Sequence, residues 1–90
     1  MKIMNKINFM PLPCKVCINR ENSEKIQKEL FKNNFRWVRP ENKVLKNAVC
    51  IFIYKDKTMR YGSHASTLNE YELDFTIVEE YNFMKYLGIV

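Results

Sequence analysis

The sequence predicts a small α+β fold, in which an antiparallel sheet of about four to five strands has two helices packed on one face. Three observations lead to this prediction. Residues 14–18 alternate as a strand does, residues 20–33 have the apolar spacing of a helix, and residues 48–54 are continuously apolar. One sheet with helices on a single face is the economical packing for the order strand, helix, several strands, helix.

The 90 residues of the chain provide interior for a single domain, residues 1–90. Hydrophobic residues make up 47% of the chain and aromatic residues 13%, a composition that excludes a disordered protein. Residues 1–13 are predicted to be an extended N-terminal segment, because Pro11 and Pro13 favour extended backbone. A domain of this size is only marginally stable alone, so we expect a homo-oligomer.

The chain contains neither a membrane-spanning run nor a signal peptide. No stretch approaches the ~20 consecutive apolar residues that cross a bilayer, and residues 1–10 alternate between polar and apolar. We therefore expect a cytoplasmic protein.

The first predicted helix covers residues 20–33. Asn19 offers an N-cap side chain, and Ile26 and Leu30 lie on the buried stripe. The pair Asn33-Asn34 can take the left-handed conformation that closes a helix.

The middle of the chain is predicted to form short strands with polar connections. These are a strand at 35–38 ended by Pro40, a basic loop at 41–47, a central strand at 48–54, a turn at 55–57 into a strand at 58–62, a loop at 63–70 and a strand at 73–76.

The segment Thr76-Ile77-Val78-Glu79 has the spacing of a capping box, which predicts a second helix. Its buried side is expected to contain Ile77, Tyr81, Met84 and Leu87, and Gly88 is expected to end it. With both helices on one face, the other face of the sheet is expected to be solvated, or covered by the N-terminal segment or by a second subunit.

The three cysteines are predicted to be reduced thiols. Cys14 and Cys17 have C-x-x-C spacing, but on a strand these positions point to opposite faces. A zinc site would need Cys50 and His64 as well and would leave no spare ligand. We predict no metal site and no cofactor.

Catalytic motifs are absent from the sequence. His64 lies in a loop without the glycine-rich elbow that accompanies a nucleophilic serine, and Glu79-Glu80 is explained by its place at a helix start. With only two glycines, the chain cannot build a phosphate-cradling loop. We therefore predict that the protein is not an enzyme.

A set of basic and aromatic residues is the strongest indication of ligand binding. Arginine binds phosphate with two parallel hydrogen bonds, and aromatic rings stack on bases. In the alternative interpretation, the aromatic rings are packing residues and the arginines are solvated. The predicted ligand-binding residues are Arg36, Trp37, Arg39, Tyr54, Arg60 and Tyr61.

The net charge of +5 is unevenly distributed along the chain. Residues 1–62 contain 14 Lys and Arg against 5 Asp and Glu, a net charge of +9, whereas residues 63–90 contain one Lys against 5 Asp and Glu, a net charge of −4. The basic part can attract an anionic partner through its field.

Three segments carry a resemblance to a known group. They are Phe35-Arg36-Trp37, residues 53–58 leading into Tyr61-Gly62-Ser63, and residues 75–80. Over roughly residues 14–82 the chain resembles a diffuse group of short phage and prophage proteins of low-GC Gram-positive bacteria. The resemblance implies a role in countering bacterial defence, inside the host cell.

Three hypotheses for function follow. The first is a non-catalytic phage-type protein that sequesters an anionic nucleotide-like signal molecule. The second is an inhibitor that docks on a host defence protein such as a nuclease. The third, direct binding of nucleic acid, follows from the sequence pI of about 9.2, but the acidic C-terminal third argues against it.

Overall fold

The apolar segment at 48–54 contributes the central strand of the sheet. The computed structural model describes residues 6–39 and 43–90. The strands are β1 (Cys14–Cys17), β2 (Arg36–Trp37), β3 (Cys50–Ile53), β4 (Thr58–Gly62) and β5 (Thr76–Ile77). The helices are α1 (Arg20–Lys32) and α2 (Glu80–Tyr86), with short 3₁₀ helices at Ile7–Phe9 and Ala65–Asn69.

The five strands form one sheet in the order β2-β4-β3-β1-β5. The predicted α+β class is confirmed. The sheet is mixed, however, because β3 pairs antiparallel with β1 and β4 while the two edge strands run parallel to their neighbours. Parallel strands require a long crossover between them. Here α1 provides the crossover from β1 to β2, and residues 63–75 provide the one from β4 to β5.

Both helices contribute side chains to one core on the same face of the sheet, as predicted. Ile26 and Leu30 of α1 are fully buried, in agreement with the predicted stripe. From the sheet, the alternation of strand residues brings Cys14, Val16, Ile51, Ile53 and Met59 to this core.

The opposite face of the sheet is covered in part by the second crossover. The 3₁₀ helix at Ala65–Asn69 contacts β1, β3 and β4. The Lys15 side chain is only 2% exposed, and its Nζ donates a hydrogen bond to the Tyr71 carbonyl at 3.1 Å. We expected this face to be solvated or to be covered by the N-terminal segment or by a second subunit. The crossover covers part of it instead, because a connection that leads to a parallel edge strand has to cross the face of the sheet.

The N-terminal segment is not uniformly extended. Ile7–Phe9 forms a 3₁₀ turn, the Lys6 amide donates to the Tyr86 carbonyl at 2.8 Å, and Ile7 and Leu12 pack against the core. Residues 1–5 of this predicted segment lie outside the described residues, as do Pro40 and the first two residues of the predicted loop at 41–47.

The predicted capping box is wrong. Thr76 belongs to β5, where its amide donates to the Pro13 carbonyl at 3.2 Å, and α2 begins only at Glu80. Ile77 and Tyr81 are therefore 55% and 61% exposed, and Phe83 joins Met84 and Leu87 in the core instead.

The predicted ends of both helices are confirmed. Asn34 has a φ of 69° after α1, and Gly88 has a φ of 73° after α2. The Gly88 and Ile89 amides donate to the carbonyls of Lys85 and Met84, which is the Schellman arrangement. The N-cap of α1 differs in detail, because the Asn19 side chain makes no capping bond to its own helix.

Candidate ligand-binding site

Two adjoining clefts lie along the outer edge of β4. Strand β2 is short and pairs only with Thr58 and Met59. Among the described residues, no strand covers the remainder of β4 on that side, which runs from Arg60 to Gly62. The surface at this edge is therefore formed by side chains from β4 and from the segments that follow β2 and β4.

The first cleft, which we call the Trp37 cleft, has a volume of about 240 Å³. Its walls are predominantly apolar. It is lined by Trp37, Val38, Arg39, Leu45, Met59, Arg60 and Tyr61.

Trp37 itself is buried, with 4% of its surface exposed. The indole Nε1 donates to the Lys43 carbonyl at 3.1 Å. The Tyr61 ring lies edge-on to the indole, with 5.7 Å between ring centroids and an interplanar angle of 71°. Since Tyr61 is 41% exposed, Tyr61 is the ring on which a planar group can stack, and Trp37 supports it from below.

Leu45 is held in the wall of the Trp37 cleft by a buried glutamine of α1. The Leu45 amide donates to Gln27 Oε1 at 2.7 Å, and Gln27 Nε2 donates to the Leu45 carbonyl at 2.9 Å. Gln27 is fully buried, and Nε2 also donates to Ser23 Oγ at 2.8 Å. This network fixes the segment after β2 against α1.

The second cleft, which we call the Tyr54 cleft, has a volume of about 520 Å³. It extends from β4 to the crossover at 63–75. It is lined by Arg39, Phe52, Tyr54, Arg60, Tyr61, Gly62, Ser63, Thr67, Tyr71 and Glu72.

The Tyr54 phenol is protonated at neutral pH. Burial raises its pKa to about 12, and the adjacent Glu72 carboxylate adds to the rise, while Arg60 opposes it. The Tyr54 ring packs edge-on against Phe75, with 5.1 Å between centroids. Tyr54, Glu72 and Arg60 therefore form one polar cluster in the wall of this cleft.

Arg39, Arg60 and Tyr61 line both clefts. Neither arginine forms a salt bridge with a carboxylate of the described residues. The two salt bridges found among those residues both lie on α1. Arg39 and Arg60 are both exposed. Two guanidinium groups are thus available to an anion beside an accessible aromatic ring.

The structure brings together five of the six predicted ligand-binding residues. Trp37, Arg39, Arg60 and Tyr61 line the first cleft, and Tyr54 joins the second. Arg36 lines neither cleft. It lies close enough to Asp56, in the β3–β4 turn, to help lower the pKa of that carboxyl, although the hydrogen bonds from Thr58 are the larger cause.

Glu72 and Ser63 belong to the cleft but were not predicted as site residues. Glu72 is partly buried and has left-handed backbone, with a φ of 49°. A glutamate is an unusual residue at such a position, and the sequence contains no turn motif that signals it.

The cysteines and the histidine are placed as follows. All three cysteines are free thiols, and Cys14 is buried in the core while Cys17 lies on the opposite face of β1. His64 is exposed. Over residues 6–39 and 43–90, no group of three or more His, Cys, Asp or Glu side chains is placed to hold a metal ion.

No helix in the described part of the chain has the length and apolar character needed to cross a membrane.

Comparison with protein families, with curated proteins and with solved structures finds no match to this chain.

Proposed function

We propose that the chain is a non-catalytic, phage-type binding protein that sequesters an anionic, nucleotide-like signal molecule in the Trp37 and Tyr54 clefts. One observation carries the proposal: Arg39 and Arg60, which lack carboxylate partners among the described residues, line both clefts together with the exposed Tyr61 ring.

The chemistry of the two clefts is complementary to the parts of a nucleotide. Arg39 and Arg60 can each offer two parallel N–H donors to a phosphate, and the Tyr61 face can stack on a base. Glu72 and Ser63, in the Tyr54 cleft, can accept hydrogen bonds from sugar hydroxyls or from the amino group of a base. A carboxylate in the wall favours a ligand with such donors over a bare phosphate.

The size of the site fits a ligand larger than an inorganic anion. Small-molecule pockets measure roughly 300–1,000 Å³. The Tyr54 cleft, at about 520 Å³, lies inside this range, and the adjoining Trp37 cleft adds about 240 Å³.

Isothermal titration with cyclic di- and trinucleotides and with cyclic ADP-ribose isomers tests the proposal. We expect saturable binding of at least one of them, and weaker binding of inorganic pyrophosphate. A native mass spectrum of the complex would show the ligand mass and the expected homo-oligomer. Absence of heat from every nucleotide, with the protein folded, contradicts the proposal.

Substitution of Arg60 connects binding to the clefts. Hydrogen bonds to charged groups contribute about 1.5–3 kcal/mol, so Arg60→Gln should weaken binding by roughly 10- to 100-fold. Arg20→Gln on α1 removes the same charge outside both clefts and should change affinity by less than about threefold, through the long-range field alone. Equal losses in the two variants would indicate nonspecific attraction.

The assignment to phage counter-defence is supported by the resemblance of Phe35-Arg36-Trp37, Tyr61-Gly62-Ser63 and residues 75–80 to short phage proteins. The host cytosol is the compartment in which such a protein would meet its signal molecule. Expression of the chain in a bacterium whose defence uses a cyclic nucleotide should restore phage plaques, and Arg60→Gln should abolish that effect.

The alternative, docking on a host defence protein such as a nuclease, is favoured by a different observation. Leu73, Ile77 and Tyr81 are 75%, 55% and 61% exposed at or near the edge strand β5. The variant Ile77→Lys separates the two functions. If the chain acts by nucleotide sequestration, Ile77→Lys should restore phage plaques as well as the natural chain does. Loss of plaque restoration in Ile77→Lys but not in Arg60→Gln would favour docking.

A further inference from the structure

Cys17 and Cys50 are directly opposite each other on the antiparallel strands β1 and β3. The Ile18 amide donates to the Val49 carbonyl at 2.8 Å, one residue beyond the pair. In an antiparallel ladder this bond marks Cys17 and Cys50 as a non-hydrogen-bonded pair, the position where opposing Cα atoms come within about 4.5 Å. The two sulfur atoms are in contact, with Cys17 Sγ and Cys50 Sγ 2.6 Å apart.

This register is compatible with a covalent bond between the two residues. Disulfides join residues whose Cα atoms are roughly 4.4–6.8 Å apart, and the close pairs of an antiparallel ladder lie at the lower end of this range. Cys14 cannot form a disulfide bond with either residue, because it faces the core on the other side of the sheet and pairs with Ile53.

The two thiols differ in their exposure to solvent. Cys17 is partly exposed, on the face covered by the second crossover, whereas Cys50 is buried beneath it. Both sulfurs lie close to the Ala65 carbonyl, at 3.7 Å. An incoming reagent therefore reaches Cys17 first.

We propose that Cys17 and Cys50 form a reversible oxidation site that is converted to an intramolecular disulfide by exchange with a low-molecular-weight disulfide. The Cys17 thiolate attacks one sulfur of the reagent, which gives a mixed disulfide and releases one thiol. Cys50 then loses its proton and attacks Cys17 Sγ, which releases the second thiol. One reagent disulfide is reduced to two thiols while the two protein thiols are oxidised to one disulfide. The proposal is independent of nucleotide binding.

The rate of this exchange should depend strongly on pH. Burial raises the pKa of the Cys17 thiol to about 12, and Cys50 beside it adds to the rise. Because the thiolate is the nucleophile, the rate should increase about tenfold for each pH unit between pH 7 and pH 10.

Oxidised glutathione, followed by alkylation of the remaining thiols in denaturant and tryptic mapping, tests the proposal on the unmodified chain. Trypsin places the three cysteines on separate peptides, residues 7–15, 16–20 and 47–55, because it cleaves after Lys6, Lys15, Arg20, Lys46 and Lys55. We expect a crosslink between peptides 16–20 and 47–55, the loss of two hydrogen masses from the intact protein, and alkylated Cys14.

Two variants complete the test. Cys14→Ser should form the crosslink as the natural chain does, and Cys17→Ser should not form it. A crosslink that includes Cys14, an intermolecular crosslink, or three alkylated cysteines after prolonged exposure of folded protein at pH 9 would each overturn the proposal. The mapping of the unmodified chain does not depend on whether either variant folds.

Discussion

Gly62 shows how a single residue determines the shape of the Tyr54 cleft. A Cβ atom at this position would overlap Thr67 Oγ1 and lie 2.7 Å from Thr67 Cβ. Thr67 is itself fixed, since its Oγ1 donates to the His64 carbonyl at 2.7 Å. We predict that Gly62→Ala lowers the free energy of unfolding by about 1–3 kcal/mol, as overpacking does, in a urea titration.

The double variant Gly62→Ala, Thr67→Gly tests the cause of that loss. It removes the atoms that an alanine would overlap, so the combined loss should be smaller than the sum of the two single losses. Additive losses would show that contact with Thr67 is not the reason for glycine at position 62.

Gln27 is a second residue whose side chain alone determines the local structure. Its side chain satisfies both the amide and the carbonyl of Leu45 in a buried setting. We predict that Gln27→Met, which keeps the length of the side chain but removes its polar atoms, lowers the free energy of unfolding by about 1–3 kcal/mol. Lys28→Met on the exposed side of the same helix should change it by less than about 0.5 kcal/mol. Similar losses in thermal unfolding would contradict the assignment.

At the scale of elements, Glu80 connects the N-terminal ends of the two helices. Its carboxylate accepts hydrogen bonds from the Asn19 amide at 2.7 Å, from Asn19 Nδ2 at 2.8 Å and from Asn22 Nδ2 at 3.2 Å. A carboxylate from the first turn of α2 thus binds the backbone amide of the N-cap residue of α1, as the glutamate of a capping box does within one helix, and complements the α1 dipole.

We predict that Glu80→Ala lowers the free energy of unfolding by about 1–2 kcal/mol in urea, because the start of α1 loses its cap. Glu79→Ala is the matched control, since Glu79 precedes α2 and makes no capping bond. Equal effects of the two substitutions would mean that the capping contact contributes nothing specific.

The elements that local patterns determine were predictable. Helix α1, the central strand β3 and the hairpin to β4 each follow from periodicity or turn chemistry within a few neighbouring residues. The start of α2 was not predictable in this way. The capping-box spacing at Thr76 is a local signal, but the Thr76 and Val78 amides are taken by the carbonyls of Pro13 and Lys15, residues about sixty positions earlier.

The residues of the candidate site likewise divide into those that local patterns predict and those that they do not. The basic and aromatic residues on or beside β2 and β4 were predictable as candidates from their residue types. Their meeting at one edge was not, because it depends on the parallel pairing of β2 with β4, which are about twenty residues apart in the sequence. Glu72 was not, because its place depends on the path of the crossover from 63 to 75, which no local pattern specifies. Arg36 was predicted to join the site, but it alternates with Trp37 on β2, so its side chain points away from the Trp37 cleft, and it lines neither cleft.

At the scale of the whole molecule, the two crossover connections lie on opposite faces of the sheet. Helix α1 packs with α2 on one face and leads to β2, and residues 63–75 cover part of the other face and lead to β5. The clefts form where the short strand β2 leaves the edge of β4 open. The site is therefore a consequence of the mixed topology. Burial of side chains on both faces of the sheet also shifts the pKa values of several ionisable groups.

These groups make the folded chain sensitive to alkaline pH. Burial raises the pKa values of Cys14, Cys17 and Tyr54 to about 12, from ordinary values of 9.0 for the thiols and 10.0 for the phenol. Between pH 9 and pH 12 the unfolded chain therefore binds fewer protons at these sites than the folded chain. The free energy of unfolding should be independent of these groups below about pH 9 and should fall as the pH rises toward 12.

Urea titrations at successive pH values, with a reductant present to keep the thiols free, measure this dependence. Cys14→Ala removes a fully buried thiol, so its stability should start lower because of the lost packing but should decline less steeply above pH 9. Tyr54→Phe should flatten the curve only above about pH 10, where the phenol of the unfolded chain begins to ionise. A decline of the same steepness in the natural chain and in both variants would show that burial of these groups does not control the alkaline limit of the fold.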